Sequence, residues 1–371
     1  MAGYLLRVRD KLAMAGFAVL LVAVWGVGFL WVRGDLDPSS DRAAASEPQP
    51  SRSADATPSA SPSVEPSPTP VGKTYTGTTY TGKVSPGDER KPVDLNPTLA
   101  RPQPQALPPV VSFTMGQFNI LGSSHTGRGG HSGRLPSGPQ RMKGTLAAIA
   151  GHGITVIGIQ EFQPNQRQAF QRRARGWAMY PGLSMGRRAG ENSVAWRADT
   201  WEMVKPGLIP IPYFNGRIRP MPYVLLQHKQ TGIRAYFSTF HNPANIGGNM
   251  QRFRNEATRR QINLFNQLEK EGIPQFVTGD MNERTEYFCR VTGSTPLIAA
   301  AGGSNSGGCR PPPRPWIDWI FGSPGVQFTS YTVDRSGVVR RSSDHPLLVA
   351  KVTVDALKFK NAYDPAAGTT P

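Results

Sequence analysis

At 371 residues the chain is long enough for two ordinary domains, but its 35 prolines and 40 glycines fall partly outside any plausible core, which argues for one folded domain with flanking segments. The formal net charge is +17, and the two cysteines lack the nearby ligands that a zinc site requires.

Leu12 to Val32 is a run of 21 residues without a charge. As a helix rising about 1.5 Å per residue it would just cross a hydrocarbon layer of roughly 30 Å. Residues 12–32 therefore read as an uncleaved transmembrane signal anchor. A cleaved signal peptide usually has an apolar region of only about 7–15 residues, and the small-residue run Ala43-Ala44-Ala45 lies beyond five charged residues. Arg7, Arg9 and Lys11 crowd before the span, against Arg33 and Arg42 after it. That bias places the tail 1–11 in the cytoplasm and everything beyond the span outside a single-pass cell membrane. Residues 33–110 are rich in Pro, Ser, Thr and Ala and cannot bury enough apolar area to offset their ordering entropy, so they read as a disordered, partly polyproline linker. Within it Tyr-Thr-Gly occurs at 75–77 and 80–82, as low complexity or a short hairpin.

The charge is unevenly spread. Residues 1–110 hold 11 Lys+Arg and 10 Asp+Glu, net +1, whereas residues 111–355 hold 29 and 14, net +15. The basicity belongs to the segment expected to fold, and a field of that sign favours a polyanionic partner such as nucleic acid, anionic lipid or a wall polymer.

Within 111–355 several apolar runs end in a polar side chain. Val110 to Leu121 reads as a strand with Asn119 near its carboxyl end, followed by a glycine-rich basic loop, 122–138, that carries His125 and Arg128. Pro139 to Ala150 has helical spacing, and the buried strand Ile154–Ile159 runs into Glu161. Pro164 to Met179 reads as an arginine-laden helix, and Asn192 opens a short strand to Arg197. A proline-rich connection follows, then an alternating strand from Gly232 to His241. Asn249 to Glu271 reads as an amphipathic helix, with Phe253, Ile262, Leu264, Phe265 and Leu268 inward and Arg252, Arg254, Arg259 and Arg260 outward. It leads into Gln275-Phe-Val-Thr-Gly-Asp-Met-Asn282, where the i, i+2 spacing keeps Asp280 and Asn282 on one side of an extended backbone. Asp318 sits inside Trp316-Ile-Asp-Trp-Ile-Phe321, where a charge is costly unless paired. Gly325 to Val333 is a further strand, and Asp344-His345 precedes a final buried one. Asp318 and His345 form a candidate dyad, because a buried carboxylate fixes an imidazole's tautomer and raises its basicity. Each of these polar residues taken alone is an ordinary strand-end or turn residue. Cys289 and Cys309 read as a disulfide outside the membrane or as two buried thiols.

Taken in order, Asn119, Glu161, His241, Gly-Asp-Met-Asn at 279–282, Ile-Asp-Trp-Ile at 317–320 and Ser-Asp-His-Pro at 343–346 resemble the endonuclease/exonuclease/phosphatase superfamily, whose members are similar in fold to pancreatic-type deoxyribonuclease. The resemblance covers about residues 111–355, leaving a tail at 356–371. It implies a four-layered α/β sandwich of two mixed sheets with helices outside. It further implies Glu161 as principal ligand of a Mg²⁺ or Mn²⁺ with Asn119 and Asp344 in its shell. By the same resemblance Asp280 and the Asp318/His345 dyad act on the attacking water, Asn282 holds the nucleophile or a phosphate oxygen, and His241 binds the phosphate or protonates the leaving group. Asn192 matches a family position near the site, while His125 and Arg128 are candidates for substrate selection. In pancreatic-type deoxyribonuclease a disulfide joins the intervals in which Cys289 and Cys309 lie. The expected function is a divalent-metal-dependent phosphoester hydrolase, foremost a nuclease acting outside the membrane. The alternatives are a phosphodiesterase or phosphatase on phospholipid head groups or other surface phosphates, and a non-catalytic binding module on the same fold.

Overall fold

The computed structural model describes residues 109–126, 130, 132–185 and 191–363. The expected membrane anchor at 12–32, the linker up to residue 108, Arg128 and the last eight residues lie outside the described residues. Among the described residues no helix is long and apolar enough to cross a membrane.

Two six-stranded sheets face each other. One has the order β11-β12-β1-β2-β4-β3, the other β5-β6-β7-β8-β10-β9. The first is built from β1 (Val110–Asn119), β2 (Val156–Gln160), β3 (Trp177–Tyr180), β4 (Ser193–Arg197), β11 (Gln327–Asp334) and β12 (Leu347–Asp355). The second is built from β5 (Trp201–Pro212), β6 (Ile218–His228), β7 (Arg234–His241), β8 (Gln275–Asp280), β9 (Ile298–Ala299) and β10 (Asp318–Gly322). Each sheet is antiparallel except at its centre, where β1 runs parallel to β2 and β7 parallel to β8. Helices α1 (Gly138–Gly151), α2 (Pro164–Arg173) and the short α5 (Gly337–Arg340) cover the first sheet, and α3 (Gln251–Lys270) and α4 (Thr285–Ser294) the second.

The alternation of side chains along a strand explains both the core and the site. On β1, Val111, Phe113 and Met115 point between the sheets, and two further residues on that face are Gln117 and Asn119. The outward Phe118 packs against the helices instead. β2 repeats the pattern with Val156, Gly158 and Gln160 inward. So do β7 with Ala235, Phe237, Thr239 and His241, and β8 with Phe276, Thr278 and Asp280. The inner faces thus turn from apolar to polar toward one end. At the apolar end Phe113 meets Trp201, Phe237 and Phe276 edge-to-face at centroid separations of 5.1, 5.9 and 5.6 Å. At the polar end Gly158 lets the sheets approach, because a β-carbon there would lie 1.9 Å from Thr278 Oγ1.

Three expectations are corrected. The helix expected at 164–179 stops at Arg173, and after a turn through Gly176 at φ 80° residues 177–180 form the edge strand β3. The proline-rich connection is a long antiparallel hairpin, β5–β6. Its prolines are tolerated because β5 is an edge strand, and because β6 pairs with β7 only from Tyr223 to Gln227, beyond Pro220 and Pro222. In α3, Arg254 is buried rather than outward. It donates to the Pro243 carbonyl, Asn245 and Gln251 and thereby holds the loop that follows His241. The expected Cys289–Cys309 disulfide is formed.

Candidate active site

The register brings the polar strand ends together. Asn119 lies beside Gln160 across the parallel β1·β2 pair, His241 beside Asp280 across β7·β8, and Asp318 opposite Asp280 across β8·β10. A buried hydrogen-bonded layer then links the sheets. Gln117 Nε2 donates to Gln160 Oε1 at 2.7 Å and to Asp318 Oδ1 at 2.9 Å, and Gln160 Nε2 donates to Thr239 Oγ1 at 2.7 Å. None of these glutamines was among the expected site residues, although both occupy the same strand face as Asn119 or directly precede Glu161.

Asn119 stands between two acids. Its Nδ2 donates to Glu161 Oε1 at 3.0 Å and to Asp280 Oδ2 at 3.1 Å, and its Oδ1 accepts from the Leu121 N–H. Glu161 adopts φ 55°, and Asn282 φ 51°. A left-handed backbone costs a residue with a side chain roughly 1–2 kcal/mol, so the chain holds strain just past the ends of β2 and β8. The second oxygen of Glu161 accepts from the Gly122 N–H at 2.6 Å and lies 3.3 Å from His125 Nε2. Burial opposes the charge on Glu161, but His125, the charge of His241, the Gly122 N–H and the Asn119 amide together hold its carboxyl well below the usual range. The same hydrogen bond raises His125 above the ordinary imidazole value.

Two histidines flank Asp280. His345 Nε2 lies 3.6 Å and His241 Nε2 3.5 Å from its Oδ2. Behind His345, Asp318 Oδ2 accepts from Nδ1 at 2.9 Å, so the expected dyad is formed. Burial works against a charged His345, yet the carboxylates of Asp318 and Asp280 more than offset it and raise the ring's pKa. Burial alone would push Asp318 up as well. We place the shared proton on the ring, because carboxylates face both of its nitrogens, and the ionised Asp318 is further held by Gln117. Behind His241 stands the buried Tyr213, whose hydroxyl is 3.4 Å from Nδ1. Burial keeps that phenol protonated far into the alkaline range.

The remaining expected residues fall at the margins. Asn282 donates to the Asn242 carbonyl at 2.8 Å, and its own N–H is held by Asp280 Oδ1. Asp344 is exposed beside Ser343, which ties this segment to the Asn119 carbonyl. The buried Arg141 of α1 binds the carbonyls of Ile120, Leu121 and Ser342, locking the ends of β1 and of the Asp344 loop together. Asn192 is buried just before β4, its amide on Met221 Sδ, and makes no hydrogen bond to Glu161 or Asp280. A cleft of about 230 Å³ opens beside Glu161 and His241 and is also lined by His125, Tyr213, Phe214 and Arg219. Tyr213, Phe214 and Arg219 come from the hairpin read as a connection, so no strand signal marked them.

Asp280, Asp318 and His345 bring one potential ligand atom each within 4.8 Å of one another, but the proton on the His345 ring withdraws it from a cation. Counting Glu161, Asn119 and Asp344, the donor set at this end is rich in oxygen and has no thiolate. That chemistry fits a hard divalent cation such as Mg²⁺ or Mn²⁺, which is commonly held by one or two carboxylates. Glu161 is the best placed, being ionised and open to the cleft; Asn119 would turn its oxygen toward a cation by a half-rotation of its amide.

The profile of the Endonuclease/Exonuclease/phosphatase family matches residues 116–345, more than half of the chain. Several solved structures are similar. An endonuclease/exonuclease/phosphatase family protein from Bacteroides thetaiotaomicron superposes with a TM-score of 0.52 at 19% identity, over 67% of this chain and 96% of that one. A mannosyl-6-phosphatase of the same organism gives 0.51 at 18% identity over 65% and 99%. The human nocturnin catalytic domain with bound sulfate gives 0.50 at 20% identity over 66% and 96%. At these identities the likeness is one of fold. No curated protein matches the sequence.

Proposed function

We propose, since the chain belongs to the endonuclease/exonuclease/phosphatase family and its members are phosphoester hydrolases, that this protein is a nuclease that cleaves phosphodiester bonds of nucleic acid with the help of a divalent metal. The observation that carries the reading is the Asn119 amide bridging Glu161 and Asp280, with one histidine on either side of Asp280. Such a cage suits a phosphate undergoing attack by water, which supports an enzyme over a binding module. The net charge of +15 over residues 111–355 favours a polyanion as its substrate. The same reading tethers the enzyme outside a membrane through residues 12–32.

Glu161, with Asn119 and Asp344, would hold the Mg²⁺ or Mn²⁺. Bound there, the ion supplies Lewis-acid polarisation of a phosphate oxygen. Asp280 is the carboxylate positioned to orient a water and accept its proton, because His345 already carries one. The imidazolium of His345, held by Asp318, stabilises charge on the phosphate. His241, its Nδ1 accepting from Tyr213, presents an Nε2–H to a phosphate oxygen or to the leaving group. Asn282, with Nδ2 committed to the Asn242 carbonyl, keeps its Oδ1 for the water. The cleft lined by Tyr213, Phe214 and Arg219 receives the part of the substrate next to the scissile phosphate, and His125 selects it at the rim.

The test is hydrolysis by the full-length protein with Mg²⁺ or Mn²⁺ and with chelator, on plasmid DNA, structured RNA, sphingomyelin and a phosphoinositide in parallel. Metal-dependent cleavage of nucleic acid, abolished in Glu161→Gln with the fold intact, is expected. Turnover of a lipid alone would move the function to head-group hydrolysis, and an active Glu161→Gln would remove the metal assignment.

A further inference from the structure

Two arginines share one indole on the rim of the site. The guanidinium of Arg284 lies over the ring of Trp316 at 5.1 Å from its centroid, and that of Arg335 lies over the same ring at 4.7 Å. Their position follows from the strands that carry the chemistry. Trp316 precedes Asp318 by two residues and Arg284 follows Asn282 by two, and the Met281 N–H donates to the Ile317 carbonyl at 2.8 Å, so β8 and β10 are still joined there. Arg284 and Trp316 thus lie four and two residues from Asp280 and Asp318, just past the ends of the two strands. Arg335 arrives from the third side, directly after β11.

Both arginines are exposed, and among the described residues neither has a carboxylate within ion-pair distance. The acids adjacent to them in sequence are already engaged. Glu283 is buried against Gln251 and 3.7 Å from Arg254, and Asp334 is 2.8 Å from His152. Two guanidiniums drawn to one ring repel each other, and among the described residues no carboxylate pairs with either to offset that repulsion. Stacking also uses only the flat face of a guanidinium and leaves its edge, with the N–H donors, for a planar or tetrahedral anion. The Trp316 N–H has no acceptor among the described residues, so the ring serves as a platform held by packing rather than as a hydrogen-bonded anchor.

We propose that Arg284, Trp316 and Arg335 form a phosphate clamp that holds a nucleic-acid strand by a phosphate neighbouring the scissile one. The clamp rests on the nuclease reading and extends it, because it distinguishes a polymeric substrate from any single phosphoester. Free edges of two guanidiniums on one platform match the repeating phosphates of a strand, and a compact substrate with one phosphate in the catalytic cage would not reach them.

The experiment compares full-length wild type with the double variant Arg284→Gln/Arg335→Gln and with Arg284→Lys/Arg335→Lys, on a long DNA and on bis(p-nitrophenyl) phosphate, over a range of NaCl. For the glutamine variant, kcat/KM on DNA is expected to fall about tenfold to a hundredfold, mainly through KM. The slope of log(kcat/KM) against log[salt] should shrink by about 1.4–1.8, and the small diester should be unaffected. The lysine variant keeps the charge and should keep the salt slope while losing part of the affinity. Equal losses on both substrates, or an unchanged DNA slope in a variant that melts like wild type, would overturn the clamp alone. A wild type that hydrolyses the small diester but no nucleic acid would overturn the nuclease reading and the clamp with it. Loss of binding to phosphatidylserine vesicles with DNA kinetics unchanged would reassign the cluster to a membrane surface.

Discussion

The two histidines beside Asp280 occupy matching places and are supported differently. His345 Nε2 and His241 Nε2 lie 3.6 and 3.5 Å from the same Oδ2, one reaching in from the first sheet and the other from the second. Behind His345 is the buried carboxylate of Asp318 at 2.9 Å, and behind His241 the buried phenol of Tyr213 at 3.4 Å. A carboxylate orients an imidazole and also stabilises its positive charge. A phenol that stays protonated orients the ring and adds no charge. One residue type is thereby given two supports around a single carboxylate, a buried carboxylate behind one ring and a buried phenol behind the other.

The largest expected effect comes from breaking the charged side. Asp318→Ala and His345→Ala should each lower kcat/KM on the order of 10²–10⁴-fold, and the double variant should be little worse than His345→Ala, because the pair acts as a unit. Losses that multiply would mean independent roles. The same contrast appears in pH. Because His345 is raised in the folded state, its contribution to stability is complete below the unfolded value of about 6.5 and is lost as pH rises through the raised folded value. The stability difference between wild type and Asp318→Asn, followed by urea unfolding, should therefore narrow as the solution becomes alkaline. A difference that widens would place the proton elsewhere.

The phenol-backed side should give way less. Tyr213→Phe removes one hydrogen bond while preserving the ring that packs against Arg219, 4.4 Å from its centroid. A loss of about two- to tenfold in kcat/KM is expected, the equivalent of roughly 0.5–1.5 kcal/mol, with the pH profile unmoved. A shifted profile in Tyr213→Phe, matching that of Asp318→Asn, would erase the distinction between the two histidines.

Only half of this contrast could be read in the sequence. Asp318 stood out as a charge in an apolar run and His345 as an imidazole before a strand, so their pairing followed from cost and chemistry. Asn119, Glu161, His241 and Asp280 were visible in the same way, each ending a run whose alternation set its face. Tyr213 was hidden because the prolines of β5 and β6 argue against a strand, and only edge pairing makes those strands tolerable. Arg254 was misjudged since helical spacing alone counts a guanidinium as outward, whereas here carbonyls and a carboxylate follow it inside. The strained backbone at Glu161 and Asn282 leaves no trace in composition at all.

The smallest effect on the comparison should come from the far side of Asp318. The Cys289–Cys309 bond closes a 20-residue separation between α4 and the run that leads to Trp316. Because a cross-link acts mainly by restricting the unfolded chain, Cys289→Ser/Cys309→Ser should lower stability by about 2–4 kcal/mol. Asp318 is held from other directions, by Gln117, by His345 and by its pairing opposite Asp280. Activity on the small diester should accordingly stay within about twofold at temperatures where the variant is folded. A larger fall in kcat/KM, with the pH profile of Asp318→Asn, would show that the bonded loop sets the position of the carboxylate behind His345, and that the carboxylate-backed side of the pair depends on a covalent support the phenol-backed side lacks.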